Sequence, residues 1–318
     1  MNLYFAPMEG ITTLIYRNVH REVFGGVDFY YAPFISPSEQ DKVNKKGLRD
    51  ILPELNGDLP LRTQVLTRDS LAFSKFADKV KAVGYDEINL NFGCPAGTVV
   101  KKGRGSGFLK EPEAIDTFLN DVFSENKIKV SVKTRIGFSS SEEWAKLMEI
   151  YNKYPLELLI VHPRTREMLY GGVPHMEAFE YAYNVSENPL CYNGNIFSVR
   201  DYELISEKFP RVKEFMLGRG AVKNPALFRE IKGGKPLTTE ELVKFSNRLT
   251  EEYCKGIRSE VYTLHKLKEI WVYMLQNFPE EKKIAKAMKK ASTLEDFKKA
   301  AALLPEIKGD RNESYCGL

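Results

Sequence analysis

"KVSVKTRIGFSSSEEWAKLMEIYNKYPLELLIVHPR", residues 129–164, contains one complete strand–helix–strand unit. In "KVSVKTR" (129–135) Val132 and Thr134 alternate with Lys133 and Arg135, and strand residues two apart share a face. "SSEEWAKLMEIYNKY" (140–154) has helical periodicity, and "LELLIVHPR" (156–164) is a second apolar, β-rich run. A helix between two strands implies that they pair in parallel, because a parallel crossover needs one. Outward from this unit the alternation repeats. Strand-like runs occur at "LYFAPM" (3–8), "FYYAPFI" (29–35), "LRTQVLT" (61–67), "EINLNFG" (87–93), "PLCYNG" (189–194) and "EFMLGRG" (214–220), with helical stretches such as "DSLAFSKFADKVKAVG" (69–84) between them. Eight consecutive units predict an α/β fold of the (β/α)8 TIM-barrel type. A doubly wound sheet is the alternative, disfavoured by the lack of a dinucleotide glycine fingerprint.

The pattern changes at "KGGKPLTTEELVKF" (232–245), where Gly233, Gly234 and Pro236 interrupt the chain. Helices are predicted at 238–256, 260–278, 280–291 and 294–304. Thr238 with Glu241 and Ser292 with Glu295 have capping-box spacing, and Pro279 is placed to start a helix. The organisation expected is a barrel domain over 1–235 and a small C-terminal all-helical domain over 236–318.

A chain of 318 residues with 43% hydrophobic content can bury a large core. The cysteines, Cys94, Cys191, Cys254 and Cys316, have neither CxxC nor metal-ligand spacing, so neither a disulfide framework nor a metal site is expected. "MNLYFAPM" (1–8) has no basic segment followed by an apolar stretch, and no run of about 18 apolar residues occurs. A cytoplasmic protein with no membrane span, acting as a monomer, is expected. The net charge of +4 permits a polyanionic partner without requiring one.

In such a barrel the active site forms at the C-terminal ends of the strands. This chain places Pro7, Met8 and Glu9 there, then Gln64, Asn91 and Cys94, Lys133 and Arg135, His162 and Arg164, Asn193, Gly194 and Asn195, and Gly218, Arg219 and Gly220. Each has a plain alternative. A free cysteine is often a buried small hydrophobe. Lys133 and Arg135 suit an outward salt bridge, His162 a satisfied strand end, and "NGN" and "GRG" ordinary turns. The segment "KKGRGSG" (101–107) lacks the P-loop pattern and is expected to cap the mouth as a mobile loop. Recurrence at nearly every strand end is what packing alone explains poorly. The set suits a flavin. Arg219 and the glycines near the last two strands suit a phosphate, Lys133 can stabilise a reduced ring, and Gln64 and Asn193 can bond its edge.

"APMEG", "NLNFGCP", "SVKTRIG", "VHPRT", "NGN" and "LGRGA…NPALF" together resemble the tRNA-dihydrouridine synthase family, most specifically in "INLNFGCPAGTVVKKGRGSG". The resemblance covers the barrel and extends to the helical tail. It implies an FMN enzyme that reduces particular uridines of tRNA with NADPH. It implies FMN contacts at Pro7, Met8, Gln64, Lys133, His162, Asn193, Gly194, Asn195, Gly218 and Arg219, with Glu9 beside them. Cys94 is then the proton donor, and Asn91, Arg135 and Tyr170 face the uracil. The chain departs from the family at Pro163, where glycine is usual and a backbone donor is lost, and at Asn195, where aspartate is usual.

The chemistry of uracil fits these roles. Hydride adds at carbon 6, and a proton must reach carbon 5 from the opposite face. A thiol with a pKa of about 8.5 carries that proton at neutral pH, whereas a serine hydroxyl is too weak an acid. A stacked uridine must be flipped out to reach the mouth. In "PEEKKIAKAMKKA" (279–291) Lys282, Lys286 and Lys289 share a helical face, with Lys283 and Lys290 alongside and Ile284, Ala287, Met288 and Ala291 opposite. That face is a candidate tRNA contact, as are Lys101, Lys102 and Arg104 on the rim. Two other readings stay open: a flavin barrel acting on a small molecule, such as an ene or dihydroorotate reductase, and a catalytically silent RNA-binding paralogue. Which uridine is modified is not legible.

Overall fold

The computed structural model describes residues 1–37, 45–125, 127–257 and 259–307. Eight parallel strands close into a barrel in chain order. They are β1 (Asn2–Phe5), β2 (Phe29–Tyr31), β3 (Leu61–Val65), β4 (Glu87–Phe92), β5 (Lys129–Gly137), β6 (Leu159–Thr165), β7 (Leu190–Tyr192) and β8 (Glu214–Leu217). All eight overlap the predicted runs. β1 closes the ring, with Tyr4 opposite Phe29 on one side and Met216 on the other.

Two-residue alternation sorts each strand into two environments. On β4, Ile88, Leu90 and Phe92 join the large apolar layer between strands and helices. A small separate cluster of Tyr4, Ala6, Tyr31, Leu158, Ile160, Cys191 and Met216 fills part of the lumen. Much of the rest of the lumen is a polar hydrogen-bonded chain. The Glu87 carboxylate accepts from Ser131 Oγ at 2.7 Å and pairs with Arg62 at 3.1 Å. Ser131 Oγ in turn accepts from Asn89 Nδ2 at 2.9 Å, and Asn89 Oδ1 accepts from Gln64 Nε2 at 2.7 Å.

Beyond the barrel lie the helices Thr239–Ile257, Glu260–Met274, Lys282–Lys290 and Leu294–Ala301. The first packs on the barrel helix Leu14–Val23. Phe245 lies edge-on to Tyr16 at 5.4 Å, and Arg248 reaches Glu22 at 2.8 Å. The Thr238–Glu241 box forms, each residue's side chain bonding the other's backbone amide at 3.2 Å. One predicted helix start and one predicted cap move. Pro279 lies in a turn, and the helix begins at Lys282 after Phe278 has been buried. The last cap is Thr293 with Asp296, not Ser292 with Glu295, because Ala291 is the C-cap of the preceding helix and Ser292 the linker. Among the described residues no helix is long and apolar enough to cross a membrane.

Candidate active site at the barrel mouth

Cys94 leaves the end of β4 on a loop whose backbone is tightly specified. The Asn91 Oδ1 atom accepts from the amides of Gly93 at 3.1 Å and Cys94 at 2.9 Å. The Cys94 carbonyl accepts from Ser106 N at 3.0 Å and Ser106 Oγ at 2.8 Å. Gly105 sits so close that a Cβ there would lie 2.8 Å from the Cys94 carbonyl oxygen and 2.9 Å from Val99 Cγ1. The loop expected to cap the mouth is thus packed against the cysteine at its glycine end. Residues Gly97–Val100 and Gly105–Lys110 form short helical turns, and Gly105, Ser106, Gly107, Phe108 and Leu109 are buried. Burial pushes the Cys94 thiol up, and the exposed Glu9 adds to this. A hydrogen bond from Ala96 and the charges of Arg135 and Lys133 pull it back. The net effect keeps the sulfur protonated.

Lys133 and Arg135 both point inward, which sets aside the outward salt bridge. Desolvation brings the Lys133 ammonium down to about 8, and Arg135 adds to the shift. Arg135 is 1% exposed, with Nε on the Gly93 carbonyl at 3.0 Å and Nη1 on the Thr165 carbonyl at 2.8 Å. Across the mouth, buried Arg164 donates to His162 Nε2 at 3.1 Å and to Asn195 Oδ1 at 3.1 Å. Arg219 reaches the same Asn195 oxygen at 3.2 Å. Burial and the four surrounding cations hold His162 well below its ordinary value, so it is neutral. Arginine can only donate, so Nε2 is the acceptor and the ring proton lies on Nδ1. Among the described residues no carboxylate forms an ion pair with Lys133, Arg135, Arg164 or Arg219. Desolvated cations left in this state call for an anion.

The remaining predicted residues fall around these groups. Gln64 is fully buried. Its Oε1 accepts from Asn91 Nδ2 at 2.8 Å, so Asn91 ties Gln64 to the cysteine loop. Asn193 donates to the Met216 carbonyl at 2.8 Å. Met8 N bonds Thr12 Oγ1 at 2.8 Å, and a Cβ on Gly218 would lie 3.4 Å from Ala6 and 3.8 Å from Met8 Sδ, so the ends of β1 and β8 converge. Pro7 and Gly194 are half-buried nearby in sequence. Tyr170 is half exposed, its ring 5.3 Å from the Arg135 guanidinium and 4.9 Å from that of Arg219. Pro163 removes no ladder bond, because Leu159 and Val161 bond towards β7, and on that side β7 has already ended at Tyr192 where the amide of residue 163 would point.

Sequence reasoning placed Arg164 at the mouth without a specific role and gave none to Asn89, Ser131 or Glu87. The signal was present: Glu87, Asn89 and Asn91 occupy alternate positions of "EINLNF", which marks a polar lumen face, and Arg164 follows His162 by two. On the rim Lys101 and Lys102 are exposed and Arg104 half-buried. On the tail Lys282, Lys286, Lys289 and Lys290 line one shallow groove, and no ion pair engages them among the described residues. Opposite, Met288 and Ala291 are buried, but Ala287 is exposed, so the apolar side is narrower than its spacing suggested. Among the described residues no cluster of three His, Cys, Asp or Glu side chains is arranged to hold a metal.

Residues 4–310 match the family model described as dihydrouridine synthase (Dus). The tRNA-dihydrouridine(16) synthase of Aquipseudomonas alcaligenes is 32% identical over 239 residues, covering 73% of this chain and 75% of that protein. A protein of the same description from Pseudomonas putida is 29% identical over 298 residues, covering 88% and 90%. Among solved structures, a variant of NCR from Zymomonas mobilis superposes with a TM-score of 0.51 at 11% identity, over 74% of this chain and 88% of that one, a likeness of fold.

Proposed function

The chain belongs to the dihydrouridine synthase family, and from that premise we propose that it is an FMN-dependent, NADPH-driven enzyme reducing uridines of tRNA to 5,6-dihydrouridine. The observation that carries this reading is a protonated Cys94 beside a mouth of desolvated cations without carboxylate partners. The names of the two Pseudomonas-type relatives favour position 16 as the target. In this reading residues 1–235 are the catalytic barrel and 236–318 a helical tRNA-binding domain of a cytosolic monomer. Residues 308–318 lie outside the described structure.

The site fits the cofactor chemically. Arg219, with Gly194 and Gly218, would hold the phosphate, and Lys133, Gln64, Asn193 and neutral His162 would line the ring. FMN, once reduced by NADPH, would supply hydride to carbon 6 of the uracil. As the C5–C6 π pair moves onto carbon 5, the Cys94 S–H bond breaks and its proton joins that carbon. Arg135 and Lys133 stabilise the thiolate left behind, which regains a proton from solvent. Asn91 fixes where the sulfur stands, and Arg135 with Tyr170 lines the space for the base.

Purified protein is expected to be yellow, to release FMN on denaturation, and to form dihydrouridine at position 16 of unmodified tRNA when given NADPH. A colourless protein that takes up no added FMN would overturn the reading. So would reduction of free pyrimidines with no action on tRNA.

The lysine groove on helix Lys282–Lys290 supplies the backbone contact in this reading. Lysines on phosphates give sequence-blind affinity with a salt slope of roughly 0.7–0.9 log units per contact. Changing Lys282, Lys286 and Lys289 together to Gln should weaken tRNA binding at low salt and flatten its salt dependence by about two to three units. FMN content and NADPH oxidation should be those of the parent. An unaltered salt slope would move the RNA footprint to Lys101, Lys102 and Arg104.

A further inference from the structure

The turn after β6 carries the one left-handed non-glycine residue among those described, Leu169 at φ +51°. An L residue there costs roughly 1–2 kcal/mol, and the position would suit a glycine without strain. Burial does not repay the cost. Leu169 is 47% exposed, Tyr170 51% and Val173 58%. A strained backbone that presents apolar side chains to solvent points to a partner.

The turn is also stiff. Arg164 donates from Nε to the Gly171 carbonyl at 3.0 Å and from Nη2 to the Gly172 carbonyl at 2.7 Å. Arg219 Nη1 reaches the Tyr170 carbonyl at 3.3 Å. Arg166 N and Glu167 N bond the carbonyls of Gly137 and Phe138 at 2.9 and 3.1 Å, which anchors the turn to the end of β5. The arginines that clamp it belong to the mouth, so its apolar tip stands at a set position beside the site. Its base is cationic: Arg135 and Arg219 flank the Tyr170 ring. An apolar tip fixed at the mouth of a protein of the dihydrouridine synthase family complements a partner with flat apolar faces, namely the stacked nucleobases of its RNA.

We infer that the Met168–Val173 turn is a preformed wedge that enters the base stack of the RNA where the target uridine leaves it, with Leu169 as the inserted side chain. The inference rests on the proposed function. Extruding a stacked base leaves a gap and costs stacking energy. A side chain already positioned to fill that gap holds the opened state, as apolar wedges do in nucleic acids that proteins kink.

The test uses the full-length protein, its flavin content matched to the parent. Leu169→Gly removes the side chain and relieves the strain, so misfolding does not explain a loss, and Leu169→Met restores apolar reach. One measurement is the fluorescence of 2-aminopurine placed beside the target uridine of tRNA, read at saturating protein without NADPH. The other is the dihydrouridine rate on that tRNA and on a short single-stranded oligoribonucleotide of the same local sequence. For Leu169→Gly we expect loss of the 2-aminopurine rise and a fall of about ten- to a hundred-fold in kcat/KM on tRNA, the scale of one stacking contact. The rate on the oligonucleotide should be unchanged, and Leu169→Met should recover both signals. Parent-like fluorescence and tRNA rate in Leu169→Gly would overturn the wedge. Equal losses on tRNA and oligonucleotide would also overturn it and place Leu169 against the uracil or the cofactor. A parent protein that reduces neither RNA would instead sink the proposed function, while the fluorescence arm, which needs no turnover, would still decide the wedge.

Discussion

Cys94→Ala is expected to keep its FMN and its reduction by NADPH while dihydrouridine formation falls by about 10²–10⁴-fold, the range for loss of a general acid. The loop that holds the residue does not depend on its sulfur. Its shape comes from Asn91 Oδ1 on the Gly93 and Cys94 amides and from Ser106 on the Cys94 carbonyl. All of these survive the substitution, so the deficit reports the proton alone. Because burial raises the thiol above its ordinary value, the parent rate should stay flat through neutral pH. It should fall only where alkali removes the proton, above the usual cysteine value of about 8.5. Cys94→Ser fills the same space with a weaker acid and should resemble Cys94→Ala. A parental rate in Cys94→Ala would return the residue to a packing role.

The barrel was legible because two periods are written into the chain. Valine, isoleucine and leucine alternate with polar residues in "EINLNF" and "KVSVKT", so one reading yields both the strand and the side facing the lumen. That parity also predicts that Lys133 and Arg135 point the same way, although it does not say which. The direction follows from closure: the outer face must meet apolar helices, which leaves the lumen for the charges.

Composition does not reveal where glycine serves packing. "KKGRGSG" reads as flexible, yet Gly105 and Gly107 are there because a Cβ would collide with the Cys94 and Val100 carbonyls. Glycine permits close approach as readily as motion, and sequence alone does not separate the two. The strained Leu169 left no trace for the converse reason. A leucine in the left-handed region looks like any leucine until its φ is known. The helix start near Pro279 and the cap near Ser292 moved because neighbouring packing, through Phe278 and Ala291, decides where each helix is capped.

Lys133→Met separates the two sides of the lysine's role. In the flavin-free protein the ammonium is held at about 8 by desolvation, with Arg135 adding to it, against an ordinary 10.5. Below pH 8 both folded and unfolded chains carry the proton, and the folded chain bears the full cost of enclosing it, at most about 3 kcal/mol. Between these values the unfolded chain binds more protons than the folded one, so stability rises with pH. Above 10.5 both are neutral and the cost is gone. Flavin-free Lys133→Met should therefore be more stable than the parent in urea at pH 7, by up to about 3 kcal/mol, and the advantage should shrink towards pH 10. If FMN binds as proposed, the sign of the lysine's effect should reverse, because the charge would then face a ring that gains negative character on reduction. Removing it should lower the midpoint potential and slow reduction by NADPH by about 10²–10³-fold, the scale of one preorganised electrostatic contact. A stability difference independent of pH would mean that the charge is solvated. An unchanged potential with normal FMN binding would place the ammonium away from the ring. Observing both signs together would show that the fold accepts a destabilising charge because the cofactor's chemistry requires it.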